Sequence, residues 1–352
     1  MKNNNLLAVI LGLIAVFVIG VVLLELKVVL LPFAISLLLS IIFKPFVLRL
    51  KKGRVPMAIS LFGVLLVFFL VLFLLGWVVF SSTETFVETL PSYEAKISAF
   101  MFDVQARVLG LAERFGVQVT DFRWTDAIEF SSITSVLTTG VGSFISFLST
   151  TFLILLFMLF ILAGAGDLAG KVKKAFPEEQ ANRIGEVVGT IDTRVRQYLV
   201  TKTLISLGTG VLTFLFLLAL GVDFPLIWGL LAFVLNYIPN VGSVIAVLFP
   251  FFLSLLQFDT LVAPMLVLIL LGGIQMLMGN VIEPRIMAFS LNLSPLLILV
   301  SLIFWGWLWG VLGMMLAVPL TATIKIITEN LEPLKPLSVL MSGVVEPVEE
   351  KV

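Results

Sequence analysis

The chain contains 352 residues, of which 60% are hydrophobic and only 12% are charged. A soluble domain has about 25% charged residues, and one soluble core could not bury so many apolar side chains, so a soluble globular enzyme is excluded. The 22 Lys and Arg residues balance 22 Asp and Glu residues, and His and Cys are absent. Nothing therefore suggests nucleic acid as a partner, and no imidazole or thiolate is available for catalysis or for a metal site.

The N-terminal apolar run predicts two transmembrane helices. Residues 6–43 are almost wholly apolar, and one continuous helix of that length would be about 57 Å long, against a hydrocarbon core of about 30 Å. The chain must therefore turn, and the charged residues Glu25 and Lys27 mark the place. This assigns the first transmembrane helix to about 6–24 and the second to about 28–43.

The loop after these two helices predicts the orientation of the chain. It carries five cations and no acid, and such an excess marks the cytoplasmic side of a membrane. A third helix at 55–80 completes the transmembrane helices of residues 1–80 and leads outside, to a more polar extracytoplasmic helical segment at 81–143. The five cations are Lys44, Arg49, Lys51, Lys52 and Arg54.

A fourth transmembrane helix at 144–163 returns the chain to the cytoplasmic side. The next segment, 164–202, is again rich in bases, and Pro177 followed by Glu178 and Glu179 indicates a helix start there. The apolar spacing after this start predicts an amphipathic helix, which lies on the inner membrane interface or packs on a neighbouring helix.

The second half is predicted to contain the remaining transmembrane helices, within 203–328, followed by a cytoplasmic tail at 329–352. The apolar segments 225–256 and 294–327 are each too long for one untilted span. Each is either a long tilted span or a re-entrant hairpin. If both are spans, or if both are hairpins, the two termini are cytoplasmic. The predicted class is an all-α polytopic membrane protein with about eight transmembrane helices, in which two long C-terminal apolar segments are broken or re-entrant.

The first broken segment is the strongest candidate for a solute path. Its proline and glycine disrupt a helix, and in lipid the freed backbone groups must be satisfied by protein or by a water-filled cavity. Polar side chains beside such a break are suited to binding a polar solute; a structural kink is the alternative. The candidate residues are Asn236, Tyr237, Pro239, Asn240, Gly242 and Ser243.

The second candidate segment begins at Gln275 and ends at Pro295. An ionisable residue at membrane depth costs about 3 kcal/mol on insertion scales and indicates function by default. Glu283 could bind a cation or a proton, with Arg285 as its partner or as an anion contact, although residues two apart do not share a helix face. Alternatively, both are ordinary charges at the interface. The other candidates here are Asn280, Pro284, Asn292, Ser294 and Pro295.

Two further features have structural interpretations. The tryptophan-rich stretch Trp305–Gly310 is predicted to serve helix packing or interface anchoring. Asp223 is predicted to be a solvated loop charge.

Several stretches of the sequence resemble the autoinducer-2 exporter (AI-2E) family of bacterial membrane proteins. They are LAFVLNYIPNVGSVIA, GNVIEPRIM, LNLSPLLILVSLIFWGWLWGVLGMMLAVPL, and FPEEQANRI with RQYLVTK. The resemblance covers most of the chain and implies an inner-membrane transporter of a small solute, linked to quorum sensing, that forms a homo-oligomer such as a pentamer. Similar sequences read IMG followed by a polar or basic residue where this chain has Met287, Ala288 and Phe289, which weakens the case for a shared substrate contact there.

Three functions follow as hypotheses. The first is a secondary transporter that exports a small hydrophilic, AI-2-like signal, with Glu283 as the charge that couples export to an ion gradient. The second is an Na⁺(Li⁺)/H⁺ antiporter on the same scaffold, in which Glu283 alternately holds Na⁺ and H⁺. The third is a non-transporting membrane scaffold. An enzyme, a metal and a cofactor are not expected; the expected partners are membrane lipids, a small polar solute or cation, and further copies of the chain.

Overall fold

The computed structural model describes residues 14, 18, 20–52, 55–114, 140–164, 168–287 and 291–343. Most of the predicted first transmembrane helix, part of the extracytoplasmic segment, the last residues of the tail and the pair Ala288 and Phe289 lie outside the described residues. Within the described ranges all regular elements are helices, and two chain segments meet in an isolated antiparallel β-bridge between Leu293 and Ser342.

The helices are numbered here in chain order. They are α1 (Lys27–Lys52), α2 (Met57–Arg114), α3 (Gly140–Gly164), α4 (Leu168–Ala175), α5 (Glu178–Ala219), α6 (Pro225–Leu235), α7 (Val241–Gln257), α8 (Val262–Gln275), a π-helix (Met276–Ile282), α9 (Glu283–Met287), α10 (Pro295–Asn330), a 3-10 helix (Glu332–Leu334) and α11 (Lys335–Met341).

Six helical stretches of the described chain are long and apolar enough to cross a membrane. Large apolar side chains on them are exposed, for example Phe62, Phe73 and Phe160, as expected where lipid replaces water around a protein. The all-α polytopic membrane class is confirmed, and a total of about eight transmembrane helices stays a prediction. The six stretches are Lys27–Leu50, Met57–Leu74, Ser146–Gly164, Glu178–Ala219, Val262–Ile286 and Pro295–Asn330.

Two helices run on past the ends that the sequence predicted. Helix α2 has 58 residues, about 87 Å at 1.5 Å per residue, and continues through position 80 into the polar segment. Helix α5 has 42 residues and joins the predicted amphipathic helix to the predicted fifth transmembrane helix. Val195 and Tyr198 of α5 are buried in a core cluster with Leu38 of α1 and Val318 of α10, so the amphipathic stretch packs on neighbouring helices.

The described chain divides into two compact units. Unit 1 comprises the described residues within 1–69, 149–205 and 279–352, and unit 2 comprises those within 70–148 and 206–278. Besides the cluster around Val195, unit 1 has a second core around Val64 and Met158. The core of unit 2 is built from α5, α7 and α8 and has Leu217 and Val267 fully buried.

The segment 225–256 is a helical hairpin within unit 2. Helix α6 has only 11 residues, about 16 Å, which is too short to cross a membrane alone. The rings of Trp228 on α6 and Phe249 on α7 stack with their centroids 6.3 Å apart. Trp228 lies eight residues before Asn236 and Phe249 nine residues after Asn240, so the two helices run antiparallel.

The segment 294–327 is also a hairpin, within unit 1. Helix α10 reverses at Gly310, where φ is 66° and ψ is −147°. The hydroxyl of Thr321 donates to Ser301 Oγ at 2.9 Å, although these residues would lie about 30 Å apart in a straight helix. Gly306 packs on Met314, and Gly313 packs on the carbonyl of Trp305. The packing interpretation of the Trp305–Gly310 stretch is confirmed.

Candidate functional site

The broken segment of unit 2 places one amide inside the protein. Asn236 follows the last residue of α6, and the residue is only 4% exposed. Its Nδ2 donates to the Oγ of Ser206 on α5 at 2.9 Å, and Ser206 is fully buried. We call Asn236 and Ser206 the amide cluster.

Close packing of α5 on α6 positions the amide cluster. A Cβ on Gly210 would lie 2.7 Å from the carbonyl oxygen of Gly229, and a Cβ on Gly229 would lie 2.8 Å from the carbonyl oxygen of Gly210. Only two glycines allow the backbones to approach this closely, as small residues commonly do between helices in lipid. The short separation brings Asn236 within hydrogen-bond reach of Ser206.

Asn236 and Gly242 are the buried members of the six candidates in this segment. A Cβ on Gly242 would overlap the carbonyl oxygen of Leu235, so the glycine is required by the close approach of α7 to α6. Tyr237 is half-buried, with its ring edge-on to Phe233 at 5.8 Å. Asn240 is exposed, and Pro239 and Ser243 are half-buried.

The polar face of α5 was missed by the sequence analysis. Within unit 2, Ser206, Thr209 and Thr213 are spaced by three and four residues, which places them on one face of a helix. All three are at most 2% exposed. The available signal was the helical spacing of polar residues within an apolar run.

The second candidate segment contains an ion pair within unit 1. Lys202 Nζ lies 2.6 Å from Glu283 Oε1, with side-chain exposures of 2% and 23%. We call Lys202 and Glu283 the charged pair. Glu283 begins α9 directly after the π-helix, and π-helical turns are frequent at functional sites.

Glu283 and Arg285, one of the pairings left open by the sequence, do not form an ion pair in the described part of the chain. Both residues lie in helix α9, where positions two apart point to different faces. Arg285 is exposed and forms no ion pair with the described residues. The long side chain of Lys202 reaches Glu283 from α5 instead.

The remaining candidates of this segment divide into exposed and structural residues. Asn280, in the π-helix, and Pro284 are exposed. Ser294 caps α10, because its Oγ accepts from the amide of Leu297 at 3.2 Å, and Pro295 is the first helical residue. Asn292 has φ 43°, and its carbonyl accepts from the amide of Gly343 at 3.2 Å. A role of these residues in a solute path stays a prediction.

Asp223 is not the solvated loop charge that the sequence suggested. Its Oδ2 accepts from the hydroxyl of Tyr93 at 2.5 Å, and its Oδ1 accepts from Gln257 Nε2 at 3.2 Å. Tyr93 is buried, and burial, together with the hydrogen bond and charge of Asp223, raises the pKa of Tyr93 well above its usual value. The two residues are 130 positions apart in the chain, so no local pattern could reveal the contact.

Comparison with known proteins places these features in a family. The model of the AI-2E family transporters matches residues 7–332, a range that includes the amide cluster, the charged pair and both hairpins. The AI-2 transport protein TqsA of Escherichia coli strain K12 is 37% identical over 317 residues, which is 88% of this chain and 88% of TqsA.

Two further relatives match over similar lengths. One from Haemophilus influenzae is 36% identical over 340 residues, covering 94% of this chain and 95% of the relative. One from Borreliella burgdorferi is 33% identical over 314 residues, covering 89% and 84%. The names of both speak of transport without giving a substrate. The chain belongs to the AI-2E family of membrane transporters.

Proposed function

We propose that this chain is a secondary transporter that exports a small hydrophilic signal of the autoinducer-2 type. The observation that carries the proposal is the similarity to the AI-2 transport protein TqsA over 88% of both chains. The family membership accounts for transport as such; the solute and the outward direction are the proposed part.

The amide cluster supports a hydrophilic solute. An asparagine side chain can form four hydrogen bonds, two through its NH₂ group and two through its oxygen. The contact with Ser206 uses one of them. A buried amide has a strong preference for completing its hydrogen bonds, and a solute that carries hydroxyl or carbonyl groups can supply the missing partners.

The proposed setting is the bacterial inner membrane, with both termini in the cytoplasm and several copies of the chain, such as five, in one assembly. The basic loop at 44–54 supports this orientation through the excess of cations on the cytoplasmic side. The two hairpins are compatible with this orientation, since two re-entrant segments leave the C-terminus on the same side as two full spans would.

Efflux from proteoliposomes tests the proposal. Vesicles containing purified protein are loaded with autoinducer-2, and the released solute is measured for the wild type, Asn236→Ala and Asn330→Ala. The control residue Asn330 also donates one side-chain hydrogen bond, but to a carbonyl of its own helix. We expect Asn236→Ala to lower efflux at least about tenfold, as the loss of one or two good hydrogen bonds to the solute would, with normal yield, while Asn330→Ala stays within about twofold.

Each contrary result has a distinct meaning. Full efflux in Asn236→Ala would show that the amide is not part of the solute path. No efflux from the wild type would contradict export of this solute. Na⁺-driven proton movement that is lost in Glu283→Ala would favour the antiporter. Absence of both activities, with a stoichiometric protein partner in a pull-down, would favour the scaffold.

A further inference from the structure

The two members of the charged pair differ in burial: the lysine is buried and the glutamate is partly exposed. Lys202 is almost completely buried, its Nζ lies 2.6 Å from Glu283 Oε1, and the carboxylate side chain keeps 23% of its surface exposed. The two residues belong to two different helical stretches, each apolar enough to cross a membrane. Lys202 lies in Glu178–Ala219 and Glu283 in Val262–Ile286. Removing one partner of such a pair is strongly destabilising because the other charge then stays buried and uncompensated.

The ammonium group of Lys202 supplies a positive charge 2.6 Å from an oxygen of Glu283. A lysine ammonium is a compact point charge with three donors, and at this distance it satisfies a carboxylate oxygen directly. A carboxylate at membrane depth without such a partner would have to take up a cation or a proton from solution. The carboxylate is the more accessible of the two groups, so a small cation can reach it once the lysine charge is removed.

We propose that Lys202 is a built-in cation for Glu283, which makes export independent of Na⁺ and K⁺. This role rests on the proposed function, because it states how the exporter treats coupling ions. It differs from the expectation that Glu283 couples export to an ion gradient: with Lys202 in place, the negative charge of the carboxylate is already compensated and needs no transported cation.

Removal of the lysine charge should create a cation site. Lys202→Met leaves Glu283 without a counter-charge among the described residues, so the variant should bind Na⁺. The double variant Lys202→Met/Glu283→Gln has neither charge and should again be indifferent to Na⁺. Lys202→Arg keeps a fixed cation beside Glu283 and should therefore show no Na⁺ response.

A second ion pair offers a matched control. Lys325 is also 2% exposed, and its Nζ also lies 2.6 Å from a glutamate oxygen, that of Glu329. Glu329 has a second cation nearby, because Arg194 lies 3.9 Å from its other oxygen. Lys325→Met therefore leaves Glu329 compensated, and this variant should not acquire a cation response.

The first test needs no solute. The melting temperature of each full-length variant in detergent is measured in sodium chloride and in N-methyl-D-glucamine chloride at equal ionic strength. A ligand that binds only the folded state raises the melting temperature, so Na⁺ should raise that of Lys202→Met by about 2–4 °C and leave the wild type, the double variant and Lys325→Met within about 1 °C. An equal Na⁺ response in the wild type, or none in Lys202→Met, would overturn the proposal.

The second test measures autoinducer-2 efflux in the same two salts. Wild-type efflux should be the same in both, and that of Lys202→Met should fall at least about tenfold when Na⁺ is withdrawn, as expected when an uncompensated charge stays in the site. If Lys202→Met does not fold, Lys202→Gln is measured against the same criteria. A wild type that melts as expected but moves no solute would contradict the proposed function alone, whereas Na⁺-dependent wild-type efflux would overturn the role of Lys202.

Discussion

The hairpin formed by α6 and α7 reverses over the five residues Asn236 to Asn240, whereas α10 reverses at the single residue Gly310. The polar groups of the two hairpins are also used differently. In α10, Trp305 Nε1 donates to Thr321 Oγ1 and Thr321 donates to Ser301, so the arms satisfy each other.

In the α6–α7 hairpin the buried polar group reaches outside the hairpin. Asn236 donates one hydrogen bond to Ser206 of α5, and its side chain can form further hydrogen bonds. Two apolar hairpins of similar size thus differ in how their polar groups are satisfied: those of α10 bond to each other, whereas the amide of Asn236 can form further hydrogen bonds, as the proposed solute path requires.

The two hairpins also differ in what holds the acidic residue at the base of each. Asp223, two residues before α6, is held by the hydroxyl of Tyr93 and by Gln257. At the end of the second arm of α10, Glu329 has cationic partners, since it accepts from Lys325 and lies near Arg194.

The largest expected effect on stability comes from adding a side chain at the glycine where the backbones of each hairpin approach most closely. In Gly242→Val and Gly313→Val, a Cβ would overlap the backbone carbonyl of Leu235 or Trp305. Backbone cannot give way as a flexible side chain can, so we expect a loss of at least about 3 kcal/mol and little folded protein in size-exclusion profiles of detergent extracts. Gly272→Val, which meets open space, is the control; a normal profile for the first two variants would contradict the hairpin geometry.

Substitutions that change backbone strain should lower stability in one turn and not in the other. Gly310 has φ 66° and ψ −147° with open space around it, so Gly310→Ala should cost roughly 1–3 kcal/mol through strain alone. Asn240 has φ 62° and ψ −54°, which glycine adopts more readily, so Asn240→Gly should be neutral or stabilising by up to about 1 kcal/mol. Thermal unfolding of both variants checks this; a shift of the same sign in both would count against it.

Polar groups within α10 should matter for stability and not for transport. Thr321→Val removes the partner of Trp305 and of Ser301, and we expect a loss of about 1–2 kcal/mol in unfolding free energy. Autoinducer-2 efflux should stay within about twofold of the wild type, in contrast to Asn236→Ala. Equal losses of efflux in the two variants would erase the distinction between the hairpins.

The smallest effect concerns the base of the first hairpin at high pH. The raised pKa of Tyr93 means that the folded state holds the phenol proton more tightly than the unfolded state does. Its contribution to stability is therefore complete below about pH 10, the pKa of an unperturbed tyrosine, and is lost as the pH rises toward the folded-state pKa. The melting temperature of Tyr93→Phe should lie below that of the wild type at pH 8, and the difference should shrink at pH 11.

Individual residues show how far local patterns reach. Asn236 was predicted because a proline and a glycine follow it within six residues, and Glu283 because a charge interrupts an apolar run. Their partners Ser206 and Lys202 were not predicted, since each lies on α5 and is separated from its partner by 30 and 81 positions. Spacing along the chain carries no information about such contacts.

Composition and apolar run length alone determined that this protein is a helical membrane protein, because a bilayer requires long apolar helices with internally satisfied backbones. The same patterns located the two interrupted segments near the C-terminus. Only the tertiary structure decided that both segments are hairpins, that Glu283 pairs with Lys202 and that Asp223 holds Tyr93. Those outcomes depend on which helix faces are in contact, and these contacts are determined by the packing of helices that lie far apart in the sequence.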